Sequence, residues 1–409
     1  MNRRRARVGT VLLAVGLIAD GGLVLVAPAT AAAPRVGRYV VRTTSAPAAS
    51  AQVAKLRSAG VRITAHYTRV LNGYAGTLTA AQVRALRADP AVTSVTPAVR
   101  MSVHDIQTSP PWGLDRIDQR PETGDGTFSY DTTGRGVTAF VIDSGIRFSH
   151  STFGGRAVSG PDFVDDDNDA SDCEGHGTHV AGTLGGSTYG VAKQVRLVSL
   201  RVFDCNGSGY SDDVIAAFDW AVAHQPSGRS VVNFSGGGAV DFDTDAAVAR
   251  TVQAGISVVV AAGNGDRNGD PLDACTNSPG RVPSALTVAA SDIDDDQASF
   301  SNYGSCVDLF APGVSVTSAG IASNTAREVL TGTSMSAPHV AGAVARLLQA
   351  QPGATPAELS ASIVRHATPG ALRLTDPNPN LLLFSSTLGR TYAPTGVETG
   401  RRTLPPPAG

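Results

Sequence analysis

The chain has 409 residues with 33 Lys and Arg, 35 Asp and Glu and a net charge of −2, enough for one large core and an accessory domain. Its 42% hydrophobic and 17% charged residues are those of an ordinary globular protein, and no run beyond the N-terminal segment reaches membrane-spanning length. Counted by segment, residues 34–104 carry ten Lys and Arg against one acid and residues 105–409 carry 19 against 33, so a basic part precedes an acidic one. The basic part has no dense Lys/Arg block or interleaved aromatics, which excludes the usual nucleic-acid footprint and leaves attraction between the two parts as the simpler account.

In chain order, Arg3, Arg4, Arg5 and Arg7 precede an apolar run from Val8 to Ala19 and a small-residue region at Ala29–Ala33. This reads as an export signal over residues 1–33 and implies a secreted, extracellular product with no membrane attachment after cleavage. Residues 34–105 then alternate as strand (Arg38–Arg42), helix (Ala48–Ala59), strand (Val61–Tyr67), strand (Gly73–Leu78), helix (Ala80–Ala88) and strand (Val92–Val99), the order of a small ferredoxin-like α+β domain. Thr79 and Gln82 have capping-box spacing. A linker over residues 102–111 follows.

From residue 106 to 385 strands and helices alternate, which predicts a doubly wound α/β domain with a mostly parallel sheet and helices on both faces. Val137–Ile142 and Ile256–Ala262 read as buried strands, and Ser211–Ala223, Ala246–Ala254 and Pro338–Gln349 as helices. Reactive groups in such sheets collect at the carboxyl ends of strands. Asp143 closes the first apolar run, where a buried carboxylate needs a partner; a helix cap or a metal ligand would also satisfy it. His176 opens the small-residue stretch His176-Gly177-Thr178-His179-Val180-Ala181-Gly182. The two histidines lack the acid of a metalloprotease helix, so His179 is expected to be a packed structural residue. Asn264 lies between Gly263 and Gly265 and could simply form a turn. Ser334, in Gly332-Thr333-Ser334-Met335-Ser336-Ala337-Pro338, is placed just before a helix, where a cap and a nucleophile are both open readings. Four cysteines allow three pairings. The acidic loop with Asp165, Asp167 and Asp169 offers oxygens to Ca²⁺ but also suits a solvated loop. The Gly/Pro/Thr-rich residues 386–409 read as a disordered tail.

Taken together, the blocks around Asp143, His176 and Ser334 resemble the three active-site signatures of the subtilisin family, and Pro111-Trp112-Gly113-Leu114 is similar to the proteinase K and aqualysin branch. The resemblance implies a secreted serine endopeptidase acting on protein and peptide substrates, with Asp143, His176 and Ser334 as triad, the Asn264 amide at the oxyanion site and no catalytic cofactor. It implies that residues 34–105 are a propeptide that assists folding and inhibits the enzyme, and that the mature protein is a monomer. Segments with Gly207, Ser208 and Gly209 and with Ser235, Gly236 and Gly237 match those that hold an extended substrate, while Ala261, Ala262 and Gly263 would line a roomy S1 pocket for large apolar or aromatic residues. The family usually has Leu at the position of Gly236, so one apolar wall is expected to be missing. Disulfides Cys173–Cys205 and Cys275–Cys306 and structural Ca²⁺ are implied too, the latter at Asp115, Asp118 and Gln119 and at Asp308 with the carbonyls of Pro283 and Ala285. A non-catalytic binder on the same fold and an esterase with the same triad are the competing readings.

Overall fold

The computed structural model describes residues 36–98, 105–121, 124–226 and 228–386. The expected signal segment and nearly all of the expected C-terminal tail lie outside the described residues. The chain divides into two compact units, residues 1–101 and 102–409.

In the first unit, β1 (Val36–Thr43), α1 (Ala46–Ser58), β2 (Ile63–Tyr67), β3 (Gly73–Thr79), α2 (Ala80–Arg87) and β4 (Val92–Pro97) follow the expected βαββαβ order. The antiparallel sheet runs β2-β3-β1-β4. Its core contains Val41, Val53, Tyr74, Leu78, Val83 and Val95. Thr79 caps α2 as the sequence predicts: its hydroxyl accepts from Gln82 N, and the Gln82 side chain accepts from Thr79 N.

The second unit begins with β5 (Asp105–Thr108), α3 (Trp112–Ile117), β6 (Thr127–Tyr130), β7 (Thr138–Asp143) and β8 (Ala157–Asp162). The expected linker is therefore partly a strand, because β5 pairs antiparallel with β6. There follow α4 (His176–Gly185), β9 (Arg196–Arg201), α5 (Ser211–Ala223), β10 (Ser230–Phe234), β11 (Gly238–Ala239), α6 (Phe242–Gln253), β12 (Ser257–Ala261) and β13 (Asn277–Ser278). The last elements are β14 (Leu286–Ser291), β15 (Leu309–Pro312), the hairpin β16 (Val316–Ala319) and β17 (Arg327–Leu330), α7 (Thr333–Ala350), α8 (Pro356–His366), β18 (Thr368–Pro369) and β19 (Leu381–Leu382).

Nine strands form one sheet in the order β18-β19-β15-β14-β12-β10-β7-β9-β8, parallel throughout except for the β18–β19 pair. Strands β7, β10, β12 and β14 are buried along their whole length, which explains why they read as unbroken apolar runs instead of alternating ones. After β7 the chain builds outward through β8 and β9, then returns to add β10 on the other side. The topological switch falls between β7 and β10, and a ligand crevice forms outside the carboxyl ends of strands at such a point. Register aligns Ile142 with Phe234 and Phe234 with Val260, so the residues just beyond β7, β10 and β12 share one edge.

Helix α7 is buried from Thr333 to Leu348, apart from half-buried Ser334, and packs on α4, β10, β12 and β14. It starts at Thr333, ahead of the stretch Pro338–Gln349 read from the sequence. A proline inside a helix leaves the carbonyl four residues back without its donor. That carbonyl belongs to Ser334, and the Ser235 hydroxyl donates to it at 2.9 Å, itself accepting from Asn233 Nδ2. The break is thus repaired from the neighbouring strand.

Candidate active site

Asp143 ends β7 fully buried. Its Oδ1 accepts from Ser144 N at 2.8 Å and from His176 Nδ1 at 2.7 Å, while Oδ2 has no partner among the described residues. The partner that a buried carboxylate requires is here a histidine. His176 opens α4, and the helix comes close enough because Gly177 faces the chain after β7: a Cβ there would lie 2.2 Å from Gly145 O. The His176 side chain is 27% exposed, so one face is buried and the other reaches the crevice. Donation from Nδ1 to Asp143 leaves Nε2 as the proton acceptor. Burial by itself would lower the His176 pKa, but the charge and hydrogen bond of Asp143, with Glu174 and Asp172 nearby, outweigh it and raise the value to about 9.

Ser334 is the second residue of α7, after the Gly332 cap. It is therefore inside the first turn, not ahead of it, and no side-chain cap bond is made at this helix start. The cap reading fails; the hydroxyl donates instead to Ser235 O at 2.9 Å. The backbone N–H of Ser334 belongs to the first turn, where intrahelical acceptors are lacking. Asn264, just past β12, accepts from Thr333 N at 2.8 Å and from Thr333 Oγ1 at 2.9 Å, both at Oδ1. Two donors at one atom identify it as the oxygen and leave Nδ2 toward the head of α7. Gly263 has φ +102°, and a Cβ there would lie 2.4 Å from Asn302 Nδ2, so the turn that presents Asn264 requires glycine.

A cavity of about 680 Å³ opens beside Ser334 and is lined by Ser235, Gly236, Ala261, Ala262, Gly263 and Leu272, among others, with Asp266 and Arg267 also on its wall. Gly236 is part of this lining. A Cβ there would lie 2.6 Å from Phe203 Cζ and 2.9 Å from Phe234 Cζ, so the stacked pair Phe203–Phe234 fills that space. Gly207, Ser208 and Gly209 follow β9 as exposed loop residues.

The disulfides are Cys173–Cys205 and Cys275–Cys306. The first ties the segment before His176 to the loop holding Gly207. His179 is fully buried and donates from Nε2 to Val316 O, the packing role expected of it.

The expected calcium ligands divide. Asp165 pairs with Arg201 at 2.6 Å, Asp167 accepts from Asp169 N and Asp169 from Ser171 Oγ, so some of this loop's oxygens already have partners within the protein. Asp118 fits better. Its Oδ1 is buried without a partner, and burial pushes its carboxyl up to about 6 against the hydrogen bond from Ser129 N, with Asp125 and Asp115 adding to the rise. Gln119 Nε2 donates to Asp115. Burial also raises Asp308 to about 6, opposed by Thr287 N, and Asp308 lines a cavity of about 330 Å³ with Pro283 and Ala285. No group of three or more His, Cys, Asp or Glu among the described residues is placed to hold a metal.

A histidine oriented by a buried carboxylate and a serine at the head of a buried helix are the groups that acyl transfer uses, and the molecule is a serine hydrolase on a parallel α/β sheet. The chain belongs to the subtilase family, whose peptidase domain matches residues 134–389; a peptidase inhibitor I9 domain matches residues 32–104. It is 46% identical over 327 residues to an extracellular serine proteinase of Thermus sp., covering 80% of this chain and 78% of that one. Alkaline serine exoprotease A of Vibrio alginolyticus is 45% identical over 333 residues, covering 80% of this chain and 61% of the relative. Among solved structures, a cold adapted subtilisin-like serine proteinase superposes with a TM-score of 0.65 at 47% identity, covering 68% of this chain and 99% of the other.

Proposed function

We propose that the protein is a secreted endopeptidase of broad specificity, made as a zymogen in which residues 1–33 are the signal, 34–105 the inhibitory propeptide, 106–385 the catalytic domain and 386–409 a tail. The 2.7 Å bond between His176 Nδ1 and Asp143 Oδ1 carries this reading, because it leaves Nε2 as a base. Ser334 Oγ turns from the Ser235 carbonyl toward His176, gives up its proton and attacks the scissile carbonyl. Asp143 steadies the imidazolium that results. Asn264 Nδ2 and Ser334 N–H stabilise the oxyanion. An extended peptide lies between Gly207–Gly209 and Ser235–Gly237 as an added strand, so backbone bonds supply affinity without demanding sequence. The 680 Å³ cavity accepts large apolar or aromatic P1 side chains against Ala261, Ala262 and Leu272. The enzyme works as a monomer without nucleic acid or membrane partners. The names of the relatives from Thermus sp. and Vibrio alginolyticus support secretion. A serine-directed phosphonyl fluoride should stop casein hydrolysis and label Ser334 alone; a label elsewhere would refute the assignment.

Only neutral His176 can act as base, and its raised pKa keeps it protonated at neutral pH. The acid limb of kcat/KM should therefore have its midpoint above pH 6.5, toward about 9, with activity falling about tenfold per unit below it. The same shift makes the imidazolium stabilising below the unfolded pKa, and that contribution is lost as pH rises through the folded one. A midpoint at or below the ordinary histidine value would contradict the geometry.

Structural Ca²⁺ belongs at Asp115, Asp118 and Gln119 and at Asp308 with Pro283 and Ala285, where it would neutralise carboxyls that burial leaves poorly satisfied. One site at 100-fold excess over Kd adds about 2.7 kcal/mol. Chelator should lower Tm, and Asp118→Asn should remove part of that sensitivity. An unchanged Tm in chelator would exclude both sites.

A further inference from the structure

The crevice has a charged wall that the roles above leave unused. Glu174 is exposed and lies two residues before His176. Its Oε2 accepts from His176 N at 2.7 Å, and its Oε1 lies 3.8 Å from the point that a Cβ on Gly207 would occupy. The carboxylate therefore lies between the catalytic histidine and the loop proposed to bind substrate. Among the described residues no Lys or Arg forms an ion pair with it; Arg201, the cation of the adjoining loop, is already held by Asp162 and Asp165. Asp172 adds negative field, but both of its oxygens are occupied, by Ser144 Oγ, Glu174 N and Gly175 N and by Thr178 N and Oγ1. Glu174 is thus the carboxylate on this wall with an oxygen to offer.

The orientation of a bound peptide decides what would meet it. Side chains of an extended strand alternate between its two sides. With P1 in the cavity beside Ser334, the preceding P2 side chain points away from that cavity. Glu174 and Gly207 are absent from the cavity's lining, and Glu174 is joined to His176 N and borders Gly207. Because position 207 is glycine, no side chain there blocks the approach to Oε1.

We propose that Glu174 is a specificity-determining residue whose carboxylate binds a Lys or Arg side chain at P2, immediately before the residue at which cleavage occurs. This rests on the serine-endopeptidase reading and adds substrate choice to it. An exposed ion pair is modest and screened by salt, so the preference is a bias on top of broad specificity, not an absolute requirement. A P2 acid meets Glu174 and Asp172 together and is disfavoured.

Peptide anilides with Phe at P1, differing only at P2 as Lys, Arg, norleucine or Glu, test it on the processed enzyme. At low ionic strength kcat/KM should favour Lys or Arg over norleucine by about threefold and over Glu by roughly tenfold, and both ratios should shrink in 1 M salt. Glu174→Gln should bring the ratios toward one, Glu174→Asp should retain most of them, and Glu174→Lys should invert the order of Lys and Glu. Norleucine has the four-carbon stem of lysine without its ammonium, so a wild-type enzyme indifferent to P2 charge overturns the proposal even if a variant does not fold, and the Glu174 variants assign any preference to this residue. A wild-type enzyme indifferent to P2 charge, or a preference that survives Glu174→Gln, overturns the proposal. Failure of the underlying reading looks different, as hydrolysis that persists after Ser334→Ala.

Discussion

Ser334→Ala should lower peptide hydrolysis by roughly six orders of magnitude, the scale on which a triad acts as a unit, and abolish labelling by a phosphonyl fluoride. The fold should survive. Alanine suits a helix at least as well as serine, and the lost side chain makes one bond, to Ser235 O. The bond that restores the helix at Pro338 uses the Ser334 backbone carbonyl, which the substitution keeps. Residual activity would come from Asn264 and substrate positioning acting on water. The variant should also be recovered with its N-terminal unit still attached, because we propose that the zymogen is processed by its own serine. Casein hydrolysis and intact mass measure both outcomes, and near-native hydrolysis by the variant would sink the triad assignment.

Asn264→Ala should cost about 10²–10³ in kcat with a much smaller change in KM, because the donor bonds charge that exists only in the transition state. The amide is preoriented: Thr333 N and Oγ1 both donate to its Oδ1, so Nδ2 does not have to be reorganised during reaction. Asn264→Asp is expected to be at least as damaging. It keeps an acceptor for Thr333 but replaces the donor with a second acceptor, carrying negative charge, where the oxyanion forms. Steady-state kinetics on one anilide separates the two parameters. A loss confined to KM would mean that Asn264 binds ground-state substrate instead.

Much of the site was legible because its residues occur at places with a strong local grammar. Asp143 follows a run of six buried residues, and Asn264 follows another; a strand end in a parallel sheet is where a reactive group belongs. Helix α7 begins ahead of Pro338, and the bond that repairs the break at this proline comes from Ser235, 99 residues away. Residues 105–108 read as linker because β5 has little apolar character and gains its partner, β6, only through folding. The pairing of Asp165 with Arg201 was not legible because the two lie 36 residues apart.

By itself the sequence determined the class of the fold, the chain order of Asp143, His176, Asn264 and Ser334, and the opposite charges of the two parts. These rest on periodicity, strand-end position and motif, all properties of neighbours along the chain. Only the tertiary structure decided that Ser334 lies inside the helix, that Asp143 holds His176, that Asn264 Oδ1 is held by Thr333, and that Glu174 is left with an oxygen to offer. Each of these depends on which atoms from distant segments come within hydrogen-bond range, and spacing along the chain does not encode that.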